Sequence, residues 1–432
     1  MALARGAKDL GSTTSTINAA PNTKSRLRHV RGGLDNAVRQ AEQRKLHDLT
    51  VIDIDVHQNE PFTLFARYLP DKFKREYTDE KLKAMGAKYD DEIHVANYPV
   101  GIALRKQMDP LGTSRFPYDL TLGGRIRRPE VKSYGLPKPR REASVEETVD
   151  MFTQRLQDIG IKRCIVFPNV LLSLSHVPDK ELQIAVANAY MDFMLDNFLG
   201  KYPEILSCVC VPTEVPDKAA ELIDRVGSEK GIVGVAASPS SPGALAGEEA
   251  WNPIYEAAEH QRLPIAFHGE LYNIPPLDRF KPPRSLPVRV LGFPLFLILQ
   301  LTSIVAEGVP ERYKKTKFVF IEGGVTWIPW LMYRMDTVYR MRKSEAPMLT
   351  KPPSEYIKEF YYSTQPMEQP QNIRDLEWIF RSFNAGSQLL YSSDYPHWDF
   401  DVPKVVYDMP FLTKEEKKNI LGENARKVFK IN

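Results

Sequence analysis

From Ser144 to the C-terminus, short apolar runs alternate with longer amphipathic stretches, and this rhythm is what most limits the fold. The runs are Arg163–Pro168, Ile205–Val211, Ile232–Ala237, Leu263–His268, Lys317–Glu322, Phe360–Ser363 and Gln388–Asp394. Leu49–His57 comes before them as a first strand. Helical patterns over Val145–Ile159, Pro178–Leu199, Pro216–Val226, Glu249–His260, Phe293–Ala306, Ile328–Arg342, Ile373–Phe383 and Lys414–Phe429 separate and follow the strands. Strands that are apolar on both faces and regularly interleaved with helices predict a parallel sheet buried on both sides. About eight such units predict a (β/α)8 TIM barrel.

Two stretches lie outside this rhythm. Residues 1–48 read as an N-terminal arm and a prelude helix over Leu34–His47, ahead of a barrel spanning 49–432. Residues 58–143 form a long insertion after strand one, too long for an ordinary connection and expected to act as a lid or an oligomer contact. Its basic stretch, Arg125 to Arg141, is broken by Pro and Gly and reads as a solvated loop. Ser144 with Glu147, and Thr413 with Glu416, have capping-box spacing.

Composition excludes several classes of function. A net charge of +3 and the lack of an aromatic-basic repeat argue against a nucleic-acid partner. Val290 to Val309 is interrupted by Pro294, Gln300 and Glu307 and predicts a buried helix, with no membrane span. The three cysteines, Cys164, Cys208 and Cys210, sit in apolar runs and predict buried, reduced thiols in a cytoplasmic protein. The N-terminus has no apolar secretory core.

The chemistry is expected at the strand ends. In Asp53-Ile-Asp-Val-His57, strand alternation puts Asp53, Asp55 and His57 on one face. Strand five ends in His268, strand six in Glu322 and strand eight in Asp394. The C-terminal ends of parallel barrel strands share one mouth. Two imidazoles and several carboxylates crowded there call for a cation. Asp55, His57, His268, Glu322 and Asp394 are therefore candidate ligands for one or two divalent ions, Zn, Fe or Mn. Taken singly, each has a plainer reading as a turn former, a cap or a satisfied core group. His397, Trp327 and His176 are candidate substrate-binding residues; Trp398 could join Trp327 in walling an apolar pocket, as could Trp330, for which ordinary packing is the favoured reading; Arg334 and Asp336 read as a structural ion pair.

Asp55-x-His57, His268-Gly-Glu, EGGVTWIPWLMYRMD from Glu322, SSDYPHWD from Ser392 and ILGENARKVF from Ile420 together resemble the amidohydrolase superfamily. The resemblance runs from Asp53 to the C-terminus, insertion apart. Its nearest branch is the amidohydrolase-related group that includes aminocarboxymuconate-semialdehyde decarboxylase. It implies that Asp55, His57, His268 and Asp394 bind metal and that Asp394 also shuttles a proton. Two departures stand out. The first strand carries Asp-x-His in place of His-x-His, and Glu322 stands where that branch carries an acid/base histidine.

Glutamate binds metal well but, when ionised, cannot donate a proton. Catalytic roles are expected for Asp394, His268 and Glu322. A carboxylate-rich mouth could hold two ions, so the leading expectation is a hydrolase in which metal-activated water attacks an ester, thioester or amide. A metal-dependent decarboxylase of an aromatic or enoic acid is the alternative, and an inactive barrel serving as a binding module is a third. The expected partner is a small-molecule substrate, with a homodimer suggested by the family.

Overall fold

The computed structural model describes residues 37–58, 66–76, 145–169, 171–269, 285–395, 397 and 400–432. Eight parallel strands follow one another around a single sheet in chain order. They are β1 (Val51–Gln58), β2 (Ile161–Pro168), β3 (Ile205–Cys210), β4 (Ile232–Ala237), β5 (Ile265–His268), β6 (Phe318–Ile321), β7 (Tyr361–Ser363) and β8 (Leu389–Leu390). The (β/α)8 barrel expected from the sequence is the fold.

The seam of the barrel is also where the site forms. β8 is much shorter than the run Gln388–Asp394, and at the end of that run Asp394 takes a left-handed backbone with φ 61. The residues after β8 still close the sheet against β1. Ile54 N–H donates to Tyr391 O at 3.0 Å, Asp394 N–H to Asp55 O at 2.9 Å, and His57 N–H to Tyr395 O at 2.7 Å. On its other side β1 changes register against β2, with Asp53 opposite Cys164 and Val56 opposite Val166. A bulge of this kind re-aims side chains at a barrel rim.

The outer helices follow from the pattern of buried residues. The first helical stretch begins with α1 (Val145–Asp150). α2 (Lys180–Asn197) is capped by Asp179, whose carboxylate accepts from Leu182 N–H at 3.1 Å; Pro178 lies just before the cap. α3 (Pro216–Val226) buries Ala219, Leu222, Ile223 and Val226, one stripe at helical spacing. After α4 (Asn252–Gln261), α5 (Ser285–Ala306) turns Leu297, Leu301, Ile304 and Val305 into the core. Gln300, polar within that apolar helix, is satisfied by Ala246 N–H at 2.8 Å and Pro239 O at 2.7 Å.

α6 (Trp327–Met341) and α7 (Ile373–Ser382) follow β6 and β7. α8 (Lys414–Lys418) opens with the expected Thr413–Glu416 capping box. Beyond it Gly422 lies so close to β1 that a Cβ there would fall 1.8 Å from Thr50 O. No helix among the described residues is long and apolar enough to cross a membrane. All three cysteines are buried free thiols.

Parts of the flanking segments anchor to the barrel. In the prelude, Leu46 is buried and Arg44 grips Asp408 with two hydrogen bonds of 2.7 and 2.6 Å. In the insertion, Leu69 and Phe73 are buried. The remainder of the arm, the basic stretch Arg125 to Arg141 and the Ser144 cap lie outside the described residues.

Candidate metal centre

Four of the expected ligands come together at the C-terminal mouth. Asp55 and His57 stand at the end of β1, His268 closes β5, and Asp394 follows β8. All four are at most 1 % exposed. His57 Nε2 lies 3.2 Å from Oδ1 of Asp55 and 3.2 Å from Oδ1 of Asp394. His268 Nε2 lies 2.9 Å from the same Asp55 oxygen. The two imidazoles meet edge to face with centroids 4.9 Å apart.

The outer nitrogens show what belongs between these groups. His57 Nδ1 donates to Pro168 O at 3.3 Å, and His268 Nδ1 donates to Gly269 O at 2.7 Å. A carbonyl only accepts, so each ring carries its proton on the outside. A neutral imidazole has one N–H, so the inner nitrogens present lone pairs to carboxylate oxygens. That arrangement is repulsive unless a positive charge lies inside. His57 Nε2 and Asp55 Oδ2 are buried and without a hydrogen-bond partner, as atoms awaiting coordination would be. Two imidazoles whose outer N–H groups are tied to carbonyls, plus two carboxylates, fit a divalent cation.

Without a cation the electrostatics strain toward a proton in its place. Burial opposes charge on His57, yet Asp394 and Asp55 outweigh it and hold the ring's pKa up to about 10. Burial likewise opposes charge on Asp55, but His268 and His57 pull its carboxyl below the ordinary range. Asp394 is depressed in the same way by His397 and His57.

The structure treats Asp53 and Glu322 differently. Asp53 Oδ1 accepts from Ser393 N–H at 2.9 Å and Asp55 N–H at 3.1 Å, so it staples the seam. Burial raises its pKa to about 8. Glu322, proposed from sequence as a ligand, is not gathered with the others. Its Oε2 is 3.7 Å from Nδ1 of His268, the outer nitrogen, and among the described residues neither group of metal-competent donors includes it. Glu322 sits at φ 62, with its N–H held by Ser363 Oγ at 2.8 Å. Left-handed backbone at both Glu322 and Asp394 is uncommon for non-glycine residues and gathers at working sites.

The other candidates divide. His397 reaches the centre, with Nδ1 2.5 Å from Asp394 Oδ1. His176 is half-buried at the mouth, with Nε2 2.7 Å from Ser240 Oγ. Trp327 donates its indole N–H to Gly323 O at 2.8 Å and packs its ring edge-on to Tyr362. Asp336 accepts from Ser354 N–H and Oγ at 2.9 and 2.8 Å, a cap where an ion pair with Arg334 was expected. Trp330 is 58 % exposed on α6, away from the packing expected of it. Trp398 and Asp399 lie outside the described residues.

Sequence reasoning missed Asn169 and Gln365. Asn169 directly follows β2 and accepts from His397 Nε2 at 2.9 Å. Gln365 follows β7 and donates to Asp394 Oδ2 at 3.3 Å. Asn169 carries the same signal as the others, a polar residue at a strand's C-terminal end.

A sequence profile described as Amidohydrolase matches residues 161–431. No curated protein sequence matches the chain. Among solved structures, an amidohydrolase of Mycobacterium avium subsp. paratuberculosis K-10 is 18% identical, with TM-score 0.64, over 88% of this chain and 98% of that one. A 5-carboxyvanillate decarboxylase of Novosphingobium aromaticivorans, with bound manganese and a nitrobenzoic acid, is 17% identical, with TM-score 0.61, over 89% and 98%. A dihydroxybenzoic acid decarboxylase of Polaromonas sp. JS666, with manganese and 2-nitroresorcinol, is 16% identical, with TM-score 0.58, over 89% and 98%.

Proposed function

We propose, on the premise that this chain belongs to the amidohydrolase family, that it is a metal-dependent, non-oxidative decarboxylase of an aromatic acid. The observation that carries this reading is the placement of Glu322. The case for hydrolysis rested on a second ion held with its help, and its carboxylate lies beside the outer nitrogen of His268. The donors that do converge, Asp55, His57, His268 and Asp394, suit one ion. The names of the similar solved structures, decarboxylases crystallised with manganese, point the same way.

A bound divalent cation would supply a Lewis-acidic charge for the substrate's carboxylate and a neighbouring oxygen. The chain's own residues supply the rest. Gln365 Nε2 steadies Oδ2 of Asp394, while Oδ1 faces His57 and His397. Oδ2 of Asp394 is thereby the atom placed to take up a proton and pass it to the ring carbon as the carboxyl group departs. The buried walls of the mouth, including Phe167 against His268 at 4.9 Å, keep bulk water from the reacting carbon. His176 and Ser240 offer hydrogen bonds to a polar ring substituent at the β2 and β4 side.

The test is a panel of carboxyl-labelled hydroxybenzoates given to manganese-loaded protein, with labelled CO2 as the readout. Release of CO2 that is lost in Asp394→Asn supports the reading. A second reading, hydrolysis, is favoured by Glu322 standing where the family resemblance implies an acid/base histidine. Turnover of esters or amides by the same preparation, with no CO2 from any member of the panel, would establish it instead.

A further inference from the structure

We infer that His397 is a fifth ligand of this centre and that Asn169 is the residue that orients it. The inference rests on the metal-centre reading above and extends it to a residue on the loop after β8.

His397 repeats the signature of His57 and His268. Its Nε2 bonds outward to Asn169 Oδ1 at 2.9 Å, as the Nδ1 atoms of His57 and His268 bond outward to backbone carbonyls. With Nε2 engaged by Asn169, Nδ1 is the nitrogen that faces Asp394 Oδ1, at 2.5 Å. Nδ1 of His397 and Oδ1 of Asp394 are thus paired at the spot where a cation beside His57 would take both. The ring is not free to swing away. It lies over His57 with centroids 4.3 Å apart and planes 31° from parallel. The His397 backbone N–H also donates to Asp394 O at 2.8 Å, which closes a tight turn between the two residues.

Two donor groups exist here: Asp55 with His57 and His268, and His57 with Asp394 and His397. Both use His57, whose inner nitrogen is Nε2. Ligand atoms lie within 4.8 Å of one another inside each group and not across all five residues. Because one imidazole lone pair binds one ion, an ion held through His57 unites the groups only by drawing the five donors, three imidazoles and two carboxylates, in around it. The third imidazole offsets the carboxylate at Asp55 on the first strand. Asn169 acts through His397, and outer partners of this kind tune affinity by about 10- to 100-fold.

The test uses the full-length chain loaded with Mn2+ and reads nitrogen coupling by pulsed EPR, with Mn2+ affinity measured in parallel. The wild-type protein is expected to show three coupled imidazoles, falling to two in His397→Gln. The Mn2+ affinity of Asn169→Ala is expected to fall about 10-fold or more. A wild-type centre with Mn2+ bound through only two imidazoles would overturn the assignment and leave the metal centre standing. A wild-type chain that binds no Mn2+ would overturn the centre itself and the assignment with it. The wild-type spectrum decides between these outcomes even if a variant fails to fold.

Discussion

The backbone N–H of Asp394 donates to the carbonyl of Asp55 at 2.9 Å. The bond closing the barrel between β8 and β1 thus joins two residues whose carboxylates face the same imidazole, His57, at 3.2 Å each. Closing the fold and assembling the centre are one event. Two buried carboxylates held this close cost several kcal/mol unless a positive charge is shared between them.

Replacing Asp394 with Asn keeps its shape and removes its charge and its proton. Turnover is expected to fall by about 10²- to 10⁴-fold, the range for losing a general acid or base. The far-UV circular dichroism should stay that of the wild type. Turnover at the wild-type rate in Asp394→Asn would remove this residue from the mechanism.

Glu322 tests the placement of the ligands. Its carboxylate lies on the outer side of His268, so Glu322→Gln is expected to keep the wild-type metal-to-protein ratio, with affinity changed less than about 10-fold, below the upper range for outer partners. Loss of the ion from this variant, measured by metal analysis after dialysis, would return Glu322 to the ligand set.

Most of the fold was legible because the strands are continuous apolar runs and the helices carry one buried stripe, as at Ala219, Leu222, Ile223 and Val226. Asp55, His57, His268 and Asp394 were legible for a related reason: a strand's C-terminal end has one destination in a parallel barrel. Glu322 met the same rule, yet its carboxylate lies beside the outer nitrogen of His268, a placement that no strand pattern encodes. The indole bond of Trp327 to Gly323 O is likewise beyond what a strand pattern encodes. Asn169 carried a readable signal at the end of β2, whereas its partner His397 comes from a loop 228 residues away. Only the closed barrel brings the two together.

Gly422 tests the packing of the C-terminal segment on β1. A methyl group there meets the Thr50 carbonyl, a backbone atom that cannot swing aside. Gly422→Ala is expected to cost about 1–3 kcal/mol, as overpacking does, and more if β1 shifts. Denaturant unfolding monitored by tryptophan fluorescence would measure it. A variant as stable as the wild type would mean that β1 yields there without cost.

Glu311 gives a pH dependence well away from the metal centre. Hydroxyls of Thr350 and Tyr356 donate to its carboxylate and hold its pKa down to about 2. An unfolded glutamate titrates near ~4.3. The lowered value therefore stabilises the fold above that pH, and the contribution is lost as pH falls toward about 2. The difference in melting temperature between wild type and Glu311→Gln is expected to be largest near neutrality and to shrink below ~4.3. A difference that stays constant across this range would contradict the assignment.

The most direct test of the account is the metal-to-protein ratio of the chain, purified without chelator and loaded with Mn2+. One ion per chain, lost when His57 is replaced by Ala, is the expected result, because both donor groups converge on the His57 ring. Two ions per chain, or none under any loading condition, would contradict it.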